Sequence, residues 1–270
     1  MKRRQFLGSS LAVSALAAGA SSGSTGAGQG ASDAAKGREY YELRRYQLQS
    51  GPQRKIADAY FRDALVPGLN RLGISPVGVF TVDIGPESPT FYVLMPSTSV
   101  ETLVTAEFRL EQDADYLKAG APFLNAPAKE PAYVRIESSL MLAFEGMPKL
   151  KVPPASAEHG ARMFELRTYE SPTDQDHKRK VEMFNSGEFD VFDKAGFRQV
   201  FYGDTIIGSR LPNLTYMVGF EDLAERTKNW KAFGSSPDWK KLSSMAKYTF
   251  EDIVSSITNV ILSPTAYSQI

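Results

Sequence analysis

The sequence predicts an α+β protein: two ferredoxin-like (split βαβ) repeats whose antiparallel sheets pack face to face as an α/β barrel within one chain. Three observations lead there. The phrase Glu42-Leu43-Arg44-Arg45-Tyr46 returns as Glu165-Leu166-Arg167-Thr168-Tyr169, 123 positions later, and an internal repeat decides architecture before any local reading does. Each phrase is followed, in one order, by helical, extended, extended, helical and extended patterning, which is the split βαβ unit. Such a sheet has one face under its helices and one bare face, and a second copy is the economical partner for the bare face.

In the first copy, residues 40–48 alternate and are rich in Tyr and Leu, as in a strand. Ser50, Pro52 and Gln53 mark a helix start, with Ser as cap, Pro in the first turn and Gln three residues after the cap. Ile56, Tyr60, Leu65, Leu69 and Leu72 make an apolar stripe that stops at Gly73. Pro67, inside that stripe, is expected to kink the helix. Strands are expected over 75–83 and 90–95, joined by the turn-rich Gly85-Pro86-Glu87-Ser88-Pro89. Thr98-Ser99-Val100-Glu101 reads as a capping box opening a second helical region with Leu103, Val104, Phe108, Tyr116 and Leu117. Residues 133–144 close the copy as a strand.

The second copy repeats this order. A strand over 162–170 leads into a helix start at Ser171-Pro172-Thr173-Asp174 and a stripe of Val181, Phe184, Val191, Phe192 and Ala195. Gly187 weakens that helix midway, by about 1 kcal/mol relative to Ala. Strands over 198–206 and 214–220, a helical start at Asp222 and a strand over 253–262 complete it. Leu72-Gly73-Ile74 matches Ala195-Gly196-Phe197 at the same spacing, and Tyr92 matches Tyr216 at a spacing grown to 124.

The domains are therefore expected at 39–148 and 161–265, joined by a Pro/Ala/Ser linker over 149–160. A length of 270 residues accommodates two such units. Lys2-Arg3-Arg4-Gln5-Phe6-Leu7, an apolar run over 11–18 and Ala18-Gly19-Ala20 read as a twin-arginine-type signal peptide over 1–20. The apolar run is short of the ~20 residues a spanning helix needs, so no stable membrane insertion is expected after cleavage. Residues 21–38 read as a flexible Gly/Ser/Ala tether. The expected location is periplasmic or extracellular, by the twin-arginine route.

Removing residues 1–20 takes away Lys2, Arg3 and Arg4, so 31 bases against 31 acids become 28 against 31. A slightly acidic surface argues against nucleic acid or an anionic membrane as partner. The absence of Cys excludes disulfides, thiolate catalysis and iron–sulfur ligation. No phosphate loop, serine elbow or paired glycosidase acids are present, and Asp174-Gln175-Asp176-His177 supplies few convergent metal ligands. No metal and no cofactor are expected. The second histidine, His159, lies in the linker.

Strand alternation places Tyr41, Leu43 and Arg45 on one face and Glu42, Arg44 and Tyr46 on the other. In the second copy Phe164, Leu166 and Thr168 oppose Glu165, Arg167 and Tyr169. The apolar set is expected under the helices, which turns the polar set toward the barrel interior. Two readings of that set stay open. Its Glu/Arg pairs are structural ion pairs that staple a buried layer, or Glu42, Arg44, Tyr46, Glu165, Arg167 and Tyr169 are the polar end of a ligand pocket, Arg holding an anionic or carbonyl group and Tyr donating a hydrogen bond.

The chain resembles the NIPSNAP family, small α+β barrel domains related to the stress-responsive and antibiotic-biosynthesis monooxygenase barrels. Tyr41-Glu42-Leu43-Arg44-Arg45-Tyr46 and Phe164-Glu165-Leu166-Arg167-Thr168-Tyr169 carry the resemblance, with Trp230-Lys231-Ala232-Phe233-Gly234-Ser235-Ser236-Pro237-Asp238-Trp239 and Tyr133-Val134-Arg135-Ile136-Glu137-Ser138-Ser139. The first copy shows Thr105-Ala106-Glu107-Phe108-Arg109 where the Trp of the signature belongs, which points to the second copy as the half bearing a site. The resemblance implies no settled enzymatic activity. Together with the signal peptide it leads to an exported protein, non-catalytic or of uncharacterised activity, that binds a small, partly apolar ligand or a protein partner through the barrel, as a monomer with a pseudo-dimeric barrel or as a homo-oligomer. The alternative is a cofactor-independent oxygenase or isomerase acting on a small aromatic substrate in the barrel interior.

Overall fold

Most strands of this protein are buried on both faces, and the topology shows why. The computed structural model describes residues 37–270, apart from 50, 158, 159, 161 and the side chains of 157, 250 and 251. The expected signal peptide, most of the tether, the Ser50 cap and His159 lie outside the described residues. Eight strands, β1 (Tyr40–Gln47), β2 (Gly78–Ile84), β3 (Thr90–Ser97), β4 (Arg135–Ala143), β5 (Met163–Glu170), β6 (Arg198–Ile207), β7 (Asn213–Phe220) and β8 (Ser256–Pro264), close into one barrel. Its order is β1-β3-β2-β8-β5-β7-β6-β4. Each half is thus a ferredoxin-like sheet, β4-β1-β3-β2 or β8-β5-β7-β6, and the two join along antiparallel seams β2–β8 and β4–β6.

Helices cover the outside of each sheet. In the first half Pro52–Tyr60 runs through a π-helical turn, Phe61–Leu65, into Val66–Arg71. Pro67, which has no N–H to donate, is the second residue after that turn, so the irregularity foreseen at Pro67 is a widened turn ahead of it. The second half repeats the device 123 residues later, with Phe184–Glu188 between Asp174–Met183 and Phe189–Lys194. Gly187 sits in this turn at φ 142, a conformation that L side chains rarely adopt. Side-chain caps open several helices: Ser99 accepts from the Thr102 amide at 3.2 Å, Thr173 from the Asp176 amide at 3.1 Å and Asp222 from the Glu225 amide at 2.8 Å.

Strand register corrects one part of the repeat. Arg44 pairs with Val93, and Arg167 with Tyr216. The spacing therefore stays at 123 through β3 and β7, and Tyr92, opposite Arg45, is the counterpart of Thr215. Tyr92 and Tyr216 lie on opposite faces of their strands.

The faces of β1 and β5 also point opposite to the expectation. Tyr41, Leu43, Phe164 and Leu166 do not lie under the helices. They meet Phe80, Leu94, Met141, Val200, Met217 and Leu262 in a cluster inside the barrel. Tyr46 packs instead with Tyr60, Phe61 and Phe123 beneath the first helical layer, and Tyr169 with Phe184, Phe192 and Tyr216 beneath the second. An eight-stranded barrel is only just wide enough to be filled by side chains, so its interior takes the more apolar of two buried faces.

The chain also closes one end of its barrel. The Gln269 backbone N–H donates to the Val77 carbonyl at 3.0 Å, Ser268 Oγ accepts from the Val79 amide at 3.0 Å, and Ile270 is wholly buried in the interior cluster. Ile270→Ala is expected to lower stability by about 2–5 kcal/mol, the range for emptying a buried aliphatic site, measured by urea denaturation. An unchanged midpoint would show that this tail is no plug.

Candidate functional site

The polar set lies between sheet and helices, and there the halves differ. In the first, Arg44 Nε donates to Glu42 Oε1 at 2.6 Å and its Nη1 bonds Glu107, while Ser138 Oγ donates to Glu42 at 2.8 Å. Burial pushes the Tyr46 phenol up to about 12, against the pull of Arg44. In the second, Glu165 is fully buried and takes four donors: Arg167 Nη1 at 2.8 Å, Arg226 Nη2 at 2.7 Å, Arg226 Nε at 2.9 Å and Trp230 Nε1 at 2.7 Å. Burial alone would raise the Glu165 carboxyl, but Arg226, Arg167 and Trp230 outweigh it and hold it below its ordinary value. Arg167 stacks on Trp230 at 4.4 Å and donates to Tyr169 Oη at 3.1–3.2 Å, and that hydroxyl lies 2.9 Å from Tyr216 Oη. Glu107 occupies the place of Trp230, 123 residues earlier, so the missing Trp is replaced by a second carboxylate for Arg44.

Beside Tyr169 lies a pair that alternation did not flag. Lys180 Nζ donates to Glu188 Oε2 at 2.6 Å, with both residues buried, and sits 4.4 Å over the Phe184 ring. Burial pulls Lys180 down and pushes Glu188 up, each partly offset by the other. The same places in the first half hold Ala57 and Leu65, both in its apolar core. Aligning the two helical stripes at 123 would have exposed the pair. His177, also buried, bonds Asp204 through Nε2 at 2.7 Å.

None of these residues reaches the barrel interior, where the open volume is. The end of the barrel where β1 and β5 finish holds a cavity of about 790 Å³. Its floor is Leu43, Leu166 and Val260, and two rows of side chains stand above it. On the first half Tyr92, Arg45 and Glu137 lie side by side across β3, β1 and β4. On the second half the equivalent places are Thr215, Thr168 and Thr258, across β7, β5 and β8. Arg45 is held by Glu87 at 2.8 Å and Glu137 at 2.6 Å. Thr168 and Thr215 hydroxyls lie 2.9 Å apart, and Arg210 Nη1 donates to Thr258 Oγ1 at 3.2 Å. Burial raises the Tyr92 phenol, against Arg45. The sequence signal for this wall was Arg45 itself, a charged residue on the otherwise apolar face.

A closed barrel of two split βαβ sheets, helices outside and a half-open interior, defines an α+β barrel protein of the pseudo-dimeric kind. The NIPSNAP family model matches residues 41–143 and again 164–269; the chain belongs to the NIPSNAP family, with two domains in tandem. Its fold is shared by a proposed monooxygenase from Fusobacterium nucleatum, 10% identical with a TM-score of 0.55 over 84% of this chain and 92% of that one. A proposed monooxygenase from Lactobacillus acidophilus is 8% identical with a TM-score of 0.55, over 84% and 94%. An uncharacterised NIPSNAP-like domain protein from Burkholderia xenovorans is 21% identical over 41% of this chain and 90% of its own, with a TM-score of 0.37. No curated protein matches the chain.

The buried pair gives a direct test of what the helical layer is for. Replacing both members by the apolar kind of residue the first half uses, Lys180→Met with Glu188→Leu, is expected to leave stability unchanged or raise it by about 1–4 kcal/mol, whereas Lys180→Met alone costs about 3–5 kcal/mol. Chemical denaturation of the three proteins reads both; a double variant as weak as the single one would make the pair a net stabiliser.

Proposed function

We propose that this protein is an exported binding protein that holds a small, partly apolar ligand in the mouth of its barrel. The observation that carries the reading is the half-filled interior. One end is packed by Tyr41, Phe80, Phe164 and Ile270, while the other keeps an apolar floor under two polar rows. A concave apolar site with a few convergent polar groups is the usual form of a small-molecule site. Ile84, Ile207 and Leu211, at the ends of strands and in a loop on the same side, are exposed and extend the apolar surface beyond the mouth. The six residues Glu42, Arg44, Tyr46, Glu165, Arg167 and Tyr169 enter this reading as a supporting layer behind the wall, the ion-paired Arg45 as part of the opposite wall, and the threonine row as the polar contacts. The oxygenase or isomerase alternative is supported by likeness to the proposed monooxygenases, a likeness of fold alone at 8–10% identity. Export is supported by the paired Arg3 and Arg4 ahead of an apolar run.

Native mass spectrometry of protein taken from the cell envelope of its producer is expected to show a bound small molecule. The mass is expected to be absent from Leu166→Trp, whose indole fills the floor, while the far-ultraviolet circular dichroism is retained. Ligand-free protein in both cases would sink the binding reading. Replacing Arg3 and Arg4 together by Lys is expected to leave the precursor inside the cell, seen by fractionation; unaltered export would rule out the twin-arginine route.

A further inference from the structure

The mouth of the barrel carries a feature the ligand reading does not use. Among the described residues, the non-glycine positions with positive φ are Glu87 at 60° and Arg210 at 57°. They are equivalent, 123 residues apart, in the β2–β3 and β6–β7 loops, and both line the cavity. A left-handed backbone at a residue with a side chain costs energy and persists where its surroundings enforce it. Here the surroundings are visible: the Glu87 carbonyl accepts from Thr90 Oγ1, and the Arg210 carbonyl from Asn213 Nδ2 at 3.0 Å. The two loops are built alike, and each carries a charge to the rim.

Each charge is spent on a neighbour. Glu87 and Glu137 hold Arg45, Arg135 lies 3.7 Å from Glu137, and Arg210 pairs with Glu170 at 3.1 Å. Three guanidinium groups thus meet three carboxylates, and the mouth is electroneutral. What stays open is hydroxyl. A hydroxyl has one donor and two acceptor sites; Thr258 accepts from Arg210 and keeps its own O–H, and the Thr168/Thr215 pair, sharing one bond, keeps one O–H and three acceptor sites. The next inward-facing level, at Tyr41 and Phe164, is closed about 7 Å below the floor residues, so the site is shallow.

We infer that the barrel mouth selects an uncharged ligand, a compact apolar body carrying one carbonyl or hydroxyl oxygen, with Thr168, Thr215 and Thr258 as the polar contacts and the Glu87 and Arg210 loops as the elements that exclude ions. The inference rests on the mouth being the binding site. A charged ligand finds no free counter-charge there and breaks an existing pair to obtain one.

Three probes of one shape separate the possibilities: 1-adamantanemethanol, 1-adamantanecarboxylate and 1-adamantylmethylammonium, titrated calorimetrically into the mature protein. The alcohol is expected to bind at least tenfold tighter than either ion. Thr258→Val is expected to weaken the alcohol about two- to tenfold, the worth of one hydrogen bond. Arg210→Gln, which strips the partner from Glu170, is expected to raise ammonium affinity at least fivefold relative to the alcohol, and Glu87→Gln to favour the carboxylate in the same way. An ion binding as tightly as the alcohol overturns the charge selection and leaves the mouth as the site. Failure of all three to bind overturns the site itself.

Discussion

Every other feature of this protein depends on the two seams where one sheet hydrogen-bonds to the other. A four-stranded split βαβ sheet has a face that its own helices cannot reach. At β2–β8 Phe80, Thr81 and Val82 pair with Pro264, Ser263 and Leu262, and at β4–β6 Met141, Leu142 and Ala143 pair with Thr205, Asp204 and Gly203. These ladders satisfy the edge N–H and C=O groups and turn two bare faces into one interior. Closure also dictates local composition. A Cβ on Gly203 would stand 2.8 Å from the Met141 Cβ, so the seam is close enough there to require glycine.

Because both halves belong to one chain, equivalent positions are free to differ, and they do so in each layer. Beneath the helices, Glu107 stands where Trp230 does, and Ala57 and Leu65 where Lys180 and Glu188 do. In the interior, Tyr92, Arg45 and Glu137 face Thr215, Thr168 and Thr258. Two identical chains would place the same row on both walls. A charged row against a second charged row would bring two arginines and their acids to one mouth, whereas the observed pairing leaves one wall closed by ion pairs and one open for hydrogen bonds.

The architecture was legible in the sequence because it rests on a spacing: a phrase repeated at 123 survives divergence of everything between. Alternation was equally reliable about which residues share a face, since Tyr41 travels with Leu43 and Glu42 with Arg44. It carried no information about which layer each face enters, because here both layers are buried and both are rich in aromatic rings. The rule that puts the apolar face under the helices presumes a sheet with a wet side, and the two strands that carry the repeated phrase are buried on both faces. The β3 to β7 match failed for a related reason: Tyr92 and Tyr216 are the same residue type one register apart, and a one-residue slip in a strand exchanges its faces. The Lys180–Glu188 pair was obscured by its setting, a polar couple in a stripe whose first-half counterpart is aliphatic.

That couple bears on what the second helical layer contributes. Burying a lysine and a glutamate is expensive, and the first half shows that the same helix–sheet junction packs with Ala57 and Leu65, so stability does not demand the pair. It stands on the π-helical turn containing Gly187, next to Phe184 and Tyr169, and Tyr169 continues through Arg167 to Glu165 and Trp230. Charge placed in low dielectric polarises its neighbours over longer distances than charge in water. The network therefore fixes β5 from behind, holding Arg167 and Tyr169 on one face while their neighbour Thr168 faces the cavity. A polar scaffold on the hidden side of the strand gives the hydroxyl wall a rigid backing, which an aliphatic layer of equal volume supplies without directional bonds.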